Sequence, residues 1–398
     1  AFTEHNILAQ ILSDVSSGKG DVEASAINNA NFRTRATGAT ITTAPQKANT
    51  AAAAVAVTVN RNSAKAYVAD GVNISAKGDV DVTVHSSQNT TGYFPAYMSA
   101  QAIAASIATG MNGTLGLAGA VAVLSAYADS IAQIGNGVSI TAGGDILVEA
   151  IDFGKLAIRA LGANIGRQTL GMGAAAAMLY ADSNIHALIG DDFTAVAKSL
   201  TVNAQRPLVD ESLYQFPFDW SDLLTINSAV NNPTNPEKGL FDITLPRQLN
   251  QITQIKIECT IGTDDVMDIF DMINYLAMVN YYVEAVSGSL NTSSQTLGNL
   301  AGTLAALFAG NSVRAEIGEN ASLTLEKNDK GDGLSVTADS AATTRIIAGG
   351  VSIGAPKASI GAAVSLADIS DKVSASIGDV TDGSKISSAG NVKVSANA

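Results

Sequence analysis

The chain has 398 residues but only one cysteine (Cys259), one tryptophan and three histidines. A lone thiol excludes an intramolecular disulfide framework and a cysteine-based zinc cluster. Aromatic residues contribute only 5% although hydrophobic residues reach 46%, so with 36 glycines the apolar content is mostly Ala, Val, Ile and Leu. That balance suits thin layers of small side chains better than a bulky globular core. Basic clusters are also lacking, and the formal charge is -13. This argues against binding nucleic acid or an anionic membrane through a basic field. The first 20 residues show neither the basic start nor the continuous apolar run of a secretory signal, so the chain is expected to be a segment of a longer protein with its targeting signal elsewhere.

Residues 82–128 contain no Asp, Glu, Lys or Arg, but Ser99, Gln101, Ser106, Thr109, Asn112, Gly113 and Thr114 interrupt them too often for a transmembrane helix. No aromatic girdle recurs as membrane strands would require, so no membrane insertion of this segment is expected. The patterns HExxH, GxSxG, P-loop and EF-hand are missing, which leaves nucleophilic and zinc-dependent mechanisms without a foothold.

What the chain does contain is a repeat. GDVEASA (20–26), GDVDVTV (78–84), GDILVEA (144–150), KSLTVNA (198–204), DGLSVTA (332–338) and GNVKVSA (390–396) start 58, 66, 54, 134 and 58 residues apart. One period of roughly 55 to 65 residues accounts for all but the fourth interval, which is about twice as long. Within the copies, Val22, Val80, Ile146, Leu200, Leu334 and Val392 share one position. Ala24, Val82, Val148, Val202, Val336 and Val394 share the next alternate one, and Ala26, Val84, Ala150, Ala204, Ala338 and Ala396 the one after. The residues between vary from Glu23 to Lys393, so each copy reads as a half-buried strand. The Gly-Asp pairs ahead of it read as corners with unusual backbone angles.

Upstream lie a second motif, as in IAQIGNGVSITA (131–142), and Ala-rich alternating runs such as AAAAVAVTV (51–59). Each unit is therefore several short strands. A sandwich of hairpins and a solenoid both satisfy this, and the solenoid is favoured because matched small residues can form ladders along a stack. A three-sided coil takes roughly 20 to 30 residues and advances about 4.8 Å, which would put two or three coils in each period.

GDVDVTV, GDILVEA and GNVKVSA, each preceded by an Ala-rich run and an Ala-x-x-Ile-Gly type segment, resemble the repeats of giant bacterial surface proteins of the filamentous-haemagglutinin and leukotoxin-like adhesin type. The resemblance covers about 20–204 and 301–398. It implies a right-handed parallel β-helix, secretion to the cell surface and an adhesive or filament-forming stalk.

The stretch 205–300 differs in composition, with nine of the 20 aromatics, five of the eight prolines, the only Trp and Cys, and 12 acidic against four basic residues. It reads as an insertion between solenoid segments 1–204 and 301–398. Thr263 can cap a helix there whose apolar stripe is Val266, Ile269, Ile273, Leu276 and Val283, closed by Gly288. YQFPFDW (214–220) places Tyr214, Phe216, Phe218 and Trp220 close together, as a candidate site for a sugar or protein partner or as the insertion's own small core.

His5, His85 and His186 read as scaffold decoration, His186 occupying the outward slot of Lys65, Ile131, Arg314 and Ser374. Parallel β-helices also host polysaccharide-degrading enzymes, and Asp264, Asp265, Asp268 and Asp271 are the acids available for that rival reading. A helix N-terminus explains them without catalysis. KNDKGDG (327–333) and DVTDGS (379–384) offer oxygen ligands for calcium but match no regular calcium repeat, so both read as solvated turns. The expectation is an all-β extracellular segment without catalytic residues, cofactor or metal. It would serve as a stalk with host or neighbouring-cell protein or glycan as partner, or as a filament subunit joined end to end.

Overall fold

The computed structural model describes residues 1–30, 32–42, 49–86, 97–207, 280–291, 297–354, 358–380 and 384–398, all within one compact unit. Period-two alternation becomes strand throughout, and no helix occurs among the described residues. Three parallel sheets result. One holds β3 (Val22–Asn28), β7 (Val80–Ser86), β10 (Ile146–Asp152), β13 (Leu200–Arg206), β17 (Asp332–Ser340) and β21 (Asn391–Asn397), the six copies of the repeated stretch. A second holds the short strands β2 (Val15–Ser17), β6 (Asn73–Ala76), β9 (Ser139–Ala142), β12 (Thr194–Ala197), β16 (Ser322–Leu325) and β20 (Ile386–Ser388). The third is long and comprises β1 (Phe2–Ile11), β4 (Phe32–Thr42), β5 (Thr50–Val68), β8 (Tyr97–Ile134), β11 (Lys155–Ile189), β14 (Tyr281–Asn291), β15 (Gly298–Ile317), β18 (Thr344–Gly354) and β19 (Ser359–Ile377).

Copies of the repeat are direct neighbours in register. Val22 pairs with Val80, Val80 with Ile146, Ile146 with Leu200, Leu200 with Leu334 and Leu334 with Val392. One period is therefore one coil of a β-solenoid, not the two or three expected from ordinary coil lengths. The extra residues form a second lobe. The anomalous fourth interval is also one coil, because β13 and β17 are adjacent and β14 pairs with β11 from Leu156–Tyr281 onward. An excursion leaves after β13 and returns at Asn280.

The first lobe is a triangle closed by the repeated strands, the short strands and the C-terminal parts of the long ones. Its core is a set of aliphatic ladders, including Val82, Val148, Val202 and Val336, all fully buried. Stacking identical positions lets each side chain fill the gap above its predecessor, which is why the inward positions keep to small aliphatic residues.

The Gly-Asp corner serves this stacking in a way that backbone angles do not explain. Positive φ occurs at Gly71, Gly137 and Gly331 among the described glycines, not at Gly78 or Gly144. Instead the Asp79 amide donates to Asp21 Oδ1 at 2.9 Å, the Asp145 amide to Asp79 Oδ1 at 2.8 Å, and Ser199 Oγ to Asp145 Oδ1 at 2.9 Å. Each carboxylate reaches to the following coil, and a Cβ at Gly78 or Gly144 would overlap the carboxylate of Asp21 or Asp79. Glycine leaves room for the aspartate of the coil before it. The corner before the short sheet repeats the device, with the amides of Asn136, Asp191 and Glu319 donating to Asp70, Asn136 and Asp191, each at 2.8 Å.

In the second lobe the long strands fold back on themselves. A Cβ at Gly38 of β4 would overlap the Ala53 carbonyl of β5, and one at Gly162 would overlap the Ala174 carbonyl further along the same strand, β11. Register slips between Gly166 and Gln168, where that strand turns. Two facing columns mesh: Gly38, Ala104, Gly162, Ser287 and Gly350 on one layer, Ala52, Ala118, Gly173, Ala301 and Gly361 on the other. Packed sheets ordinarily stand ~10 Å apart. Here Gly and Ala let backbone approach backbone, giving a thin two-layer blade whose core is largely alanine.

The helix expected from its cap at Thr263 to its close at Gly288 is not supported. Its C-terminal portion, including Val283 and Gly288, lies inside β14, where Val283 pairs with Ile158 and Gly288 with Ala163. Pairing with β11 on one side and β18 on the other gives this segment's backbone strand partners and overrides its helical spacing. The remainder of that expected helix lies outside the described residues. Solenoid strands also occupy both margins of 205–300, since β13 runs to Arg206 and β14 begins at Tyr281.

Candidate interaction surfaces

Tyr214, Phe216, Phe218 and Trp220, together with Asp264, Asp265, Asp268 and Asp271, lie outside the described residues. The structure does define the base of the excursion that carries them. Arg206 ends β13, Tyr281 opens β14, and the guanidinium carbon sits 4.9 Å from the centre of the Tyr281 ring. Asn311 joins them: its Oδ1 accepts from Tyr281 Oη at 2.6 Å and from Arg206 Nη1 at 2.7 Å, while its Nδ2 donates to Asp371 Oδ1 at 2.5 Å. Ser183 Oγ also bonds Arg206 Nη1, at 2.6 Å. The two ends of a long excursion are thus clamped by a buried cation and a ring, and the same coil continues beneath them.

This clamp belongs to a polar seam where the triangle meets the blade. Asn62, Ala128, Ser183, Asn311 and Asp371 form one ladder. Asn28, Ser86 and Asp152 form another beside it. A cavity of ≈ 30 Å³ opens on the seam among Asn62, Ser86, Asp152, Ser183 and Arg206. That is about the space of one or two water molecules. Burial pushes the Tyr281 phenol above its ordinary pKa, against the pull of the Arg206 charge and the Asn311 hydrogen bond, which keeps it a hydrogen-bond donor. Sequence reasoning assigned no role to Arg206, Asn311 or Asp371. Their signal was weak, a polar residue at one inward position of an otherwise aliphatic alternation.

A second buried cluster lies on β11 and β14. Arg159 Nε donates to Glu284 Oε2 at 2.6 Å, and Tyr282 Oη donates to the same oxygen at 2.7 Å. Arg159 and Glu284 are register partners, so the pair is made by stacking. Burial, then the Glu284 charge, drives the Tyr282 phenol far above its ordinary range. Nearby Lys155 is brought down to about 8 by burial.

The histidines divide. His85 Nε2 lies 2.9 Å from Glu149 Oε1 on the outer face of the repeated strands, so it is paired rather than free decoration. His186 stands in the column Lys65, Ile131, Arg314 and Ser374, the register read from sequence, and contacts Ser312 Oγ at 3.1 Å. It is half-buried, and burial lowers its pKa. The turn at 327–333 closes on itself: Asn328 Oδ1 accepts the amides of Lys330 and Asp332 at 3.0 and 2.9 Å. Among the described residues no group of three His, Cys, Asp or Glu could hold a metal ion.

The outer face of the blade formed by β5, β8, β11, β15 and β19 is a continuous apolar surface. Its columns are aliphatic from coil to coil: Val55, Val121, Ala176, Leu304, Val364; then Val57, Val123, Met178, Ala306, Leu366. Within the stack Val121 is 36% exposed and Leu304 37%. Towards the triangle the field gives way to a column of Val59, Ser125, Tyr180, Phe308 and Asp368, then to one with Arg61 and Asp182. Comparison with protein-family models, with curated proteins and with solved structures returned no match.

Proposed function

We propose that this chain is a segment of a large secreted bacterial surface protein in which a right-handed β-solenoid serves as a rigid stalk, with the excursion between Arg206 and Asn280 as its recognition element for a cell-surface protein or glycan. The observation that supports the stalk is the one-coil-per-repeat register maintained through all three sheets. Every added repeat lengthens such a stack by about 4.8 Å without changing its cross-section. The Arg206–Tyr281 clamp supports the excursion as a separable element, because its ends are held by the solenoid itself. Replacing 208–279 by a short linker tests the assignment. The expected result is an unchanged β-type circular dichroism spectrum with loss of binding to glycan arrays and intact cells. Full retention of binding would place recognition elsewhere.

A second reading is an extracellular filament joined end to end. The parallel, in-register stacking of all three sheets favours it, because a second copy placed on the same axis would extend the same ladders. An unpaired parallel edge templates further strands. Rods in electron micrographs whose length grows with protein concentration support it, and rods of one fixed length refute it.

A further inference from the structure

The outer face of the blade combines three features that ordinary solenoid surfaces do not need. First, it is aliphatic over four adjacent columns and five coils. At ~4.8 Å per coil and ~6.6 Å per column, this is a field of roughly 630 Å². Exposed apolar patches of that size mark interaction sites.

Second, the field is corrugated. Between the ridge through Leu117, Met172 and Leu300 and the ridge through Val55, Val121 and Leu304 runs a column of Ala53, Gly119, Ala174, Gly302 and Ala362. Third, the groove glycines are not explained by the chain's own packing. A Cβ added at Gly119 or Gly302 would meet nothing within 4 Å, and neither has a positive φ. Glycine in a strand interior costs conformational entropy and marks places where another backbone or ligand comes close.

We infer that this face docks a second copy of this chain, sheet against sheet, with a ridge of each copy seated in the glycine–alanine groove of the other. Stable interfaces bury about 600–1,000 Å² per partner, so a field of roughly 630 Å² suffices for a dimer at the lower end of that range. The face is self-complementary because a twofold axis lays its own tall column into its own short one. The opposite face of the blade is the poorer candidate. Its aliphatic field is narrower, bounded by Arg33 and Arg35 on β4, Arg159 on β11 and Glu284 on β14. This lateral pairing is independent of the end-to-end filament reading and of what the excursion binds.

The test is sedimentation velocity on the whole chain over a range of concentrations, alongside the double variant Gly119→Lys, Gly302→Lys. Both lysines enter open space, so the variant is expected to keep the wild-type circular dichroism and melting temperature. The wild-type chain is expected to dimerise, and the variant to weaken the dimer by roughly 100-fold, because two uncompensated charges would be buried in each half of the interface. Ala39→Lys, on the opposite face, is expected to leave the dimer intact. A chain that stays monomeric at its highest soluble concentration would overturn the inference. So would a dimer that survives the double variant, or one lost in Ala39→Lys. Flotation of a monomeric chain with phosphatidylcholine vesicles, abolished by the double variant, would assign the face to lipid instead.

Discussion

Two glycine-to-alanine substitutions test the architecture of the blade, because the same added methyl group meets opposite surroundings at each. At Gly162 the new Cβ would overlap the Ala174 carbonyl oxygen while lying 2.9 Å from its carbon and 3.3 Å from the Ala118 carbonyl oxygen. These obstacles are backbone atoms of strands hydrogen-bonded on both sides, and they have no rotamer to change. Overpacking costs about 1–3 kcal/mol where side chains can adjust, so the cost here belongs at the upper end, near 3 kcal/mol. Against this stands a gain of about 0.4–1 kcal/mol from restricting the unfolded chain. Gly162→Ala is therefore expected to destabilise by about 2 kcal/mol or more. Gly119→Ala points the same methyl into open space and keeps only the gain, about 0.5 kcal/mol. Urea unfolding followed by circular dichroism, with the two variants measured beside the parent chain, should show midpoints displaced in opposite directions. If Gly162→Ala unfolds at the parental urea concentration, the two layers do not approach as described, and the thin blade is wrong.

Other substitutions probe the remaining parts. Leu200→Ala in the fully buried ladder of the triangle is expected to cost about 3 kcal/mol by the same urea assay, and a cost under about 1 kcal/mol would refute the ladder as the core. Asn311→Ala removes the amide that joins Tyr281, Arg206 and Asp371, and should lower stability by about 2 kcal/mol in thermal melts. Retention of the parental melting temperature would show that the seam contributes little. Asp81 is raised to about 6 by burial and by the charges of Asp79, Glu23, Asp21 and Asp145. Its folded-state value lies above the unfolded one of about 3.9, so the folded chain binds the proton more tightly. Stability is therefore expected to rise as pH falls from 6 to 4, and Asp81→Asn should flatten that rise. An unchanged pH profile in the variant would refute the assignment.

The excursion shows where sequence reasoning reached its limit. From Val266 to Val283 the apolar spacing fits a helix, yet from Tyr281 onward the chain lies on β11 as a strand. Nothing local distinguishes these outcomes, since Tyr, Val and Ile support strands as readily as the spacing supports a helix. The polar seam was likewise hidden. Arg206, Ser183, Asn311 and Tyr281 are scattered between 23 and 128 residues apart along the chain and become one network only when coils stack.

The linear order of residues was enough to establish the repeated strands and their matched positions, from Val22 through Val392, to favour a parallel stack over a sandwich, and even to give the column shared by Lys65, Ile131, His186, Arg314 and Ser374. Those facts are local and repeated, so each copy checks the others. Tertiary structure alone decided that one period makes one coil, that the long strands fold into a second lobe, and that Gly-Asp corners work by reaching to the adjacent coil. The reason is that in the blade both faces of a strand carry small apolar residues. Alternation then cannot say which face turns inward, and only the approach of Gly162 to Ala174 makes that choice.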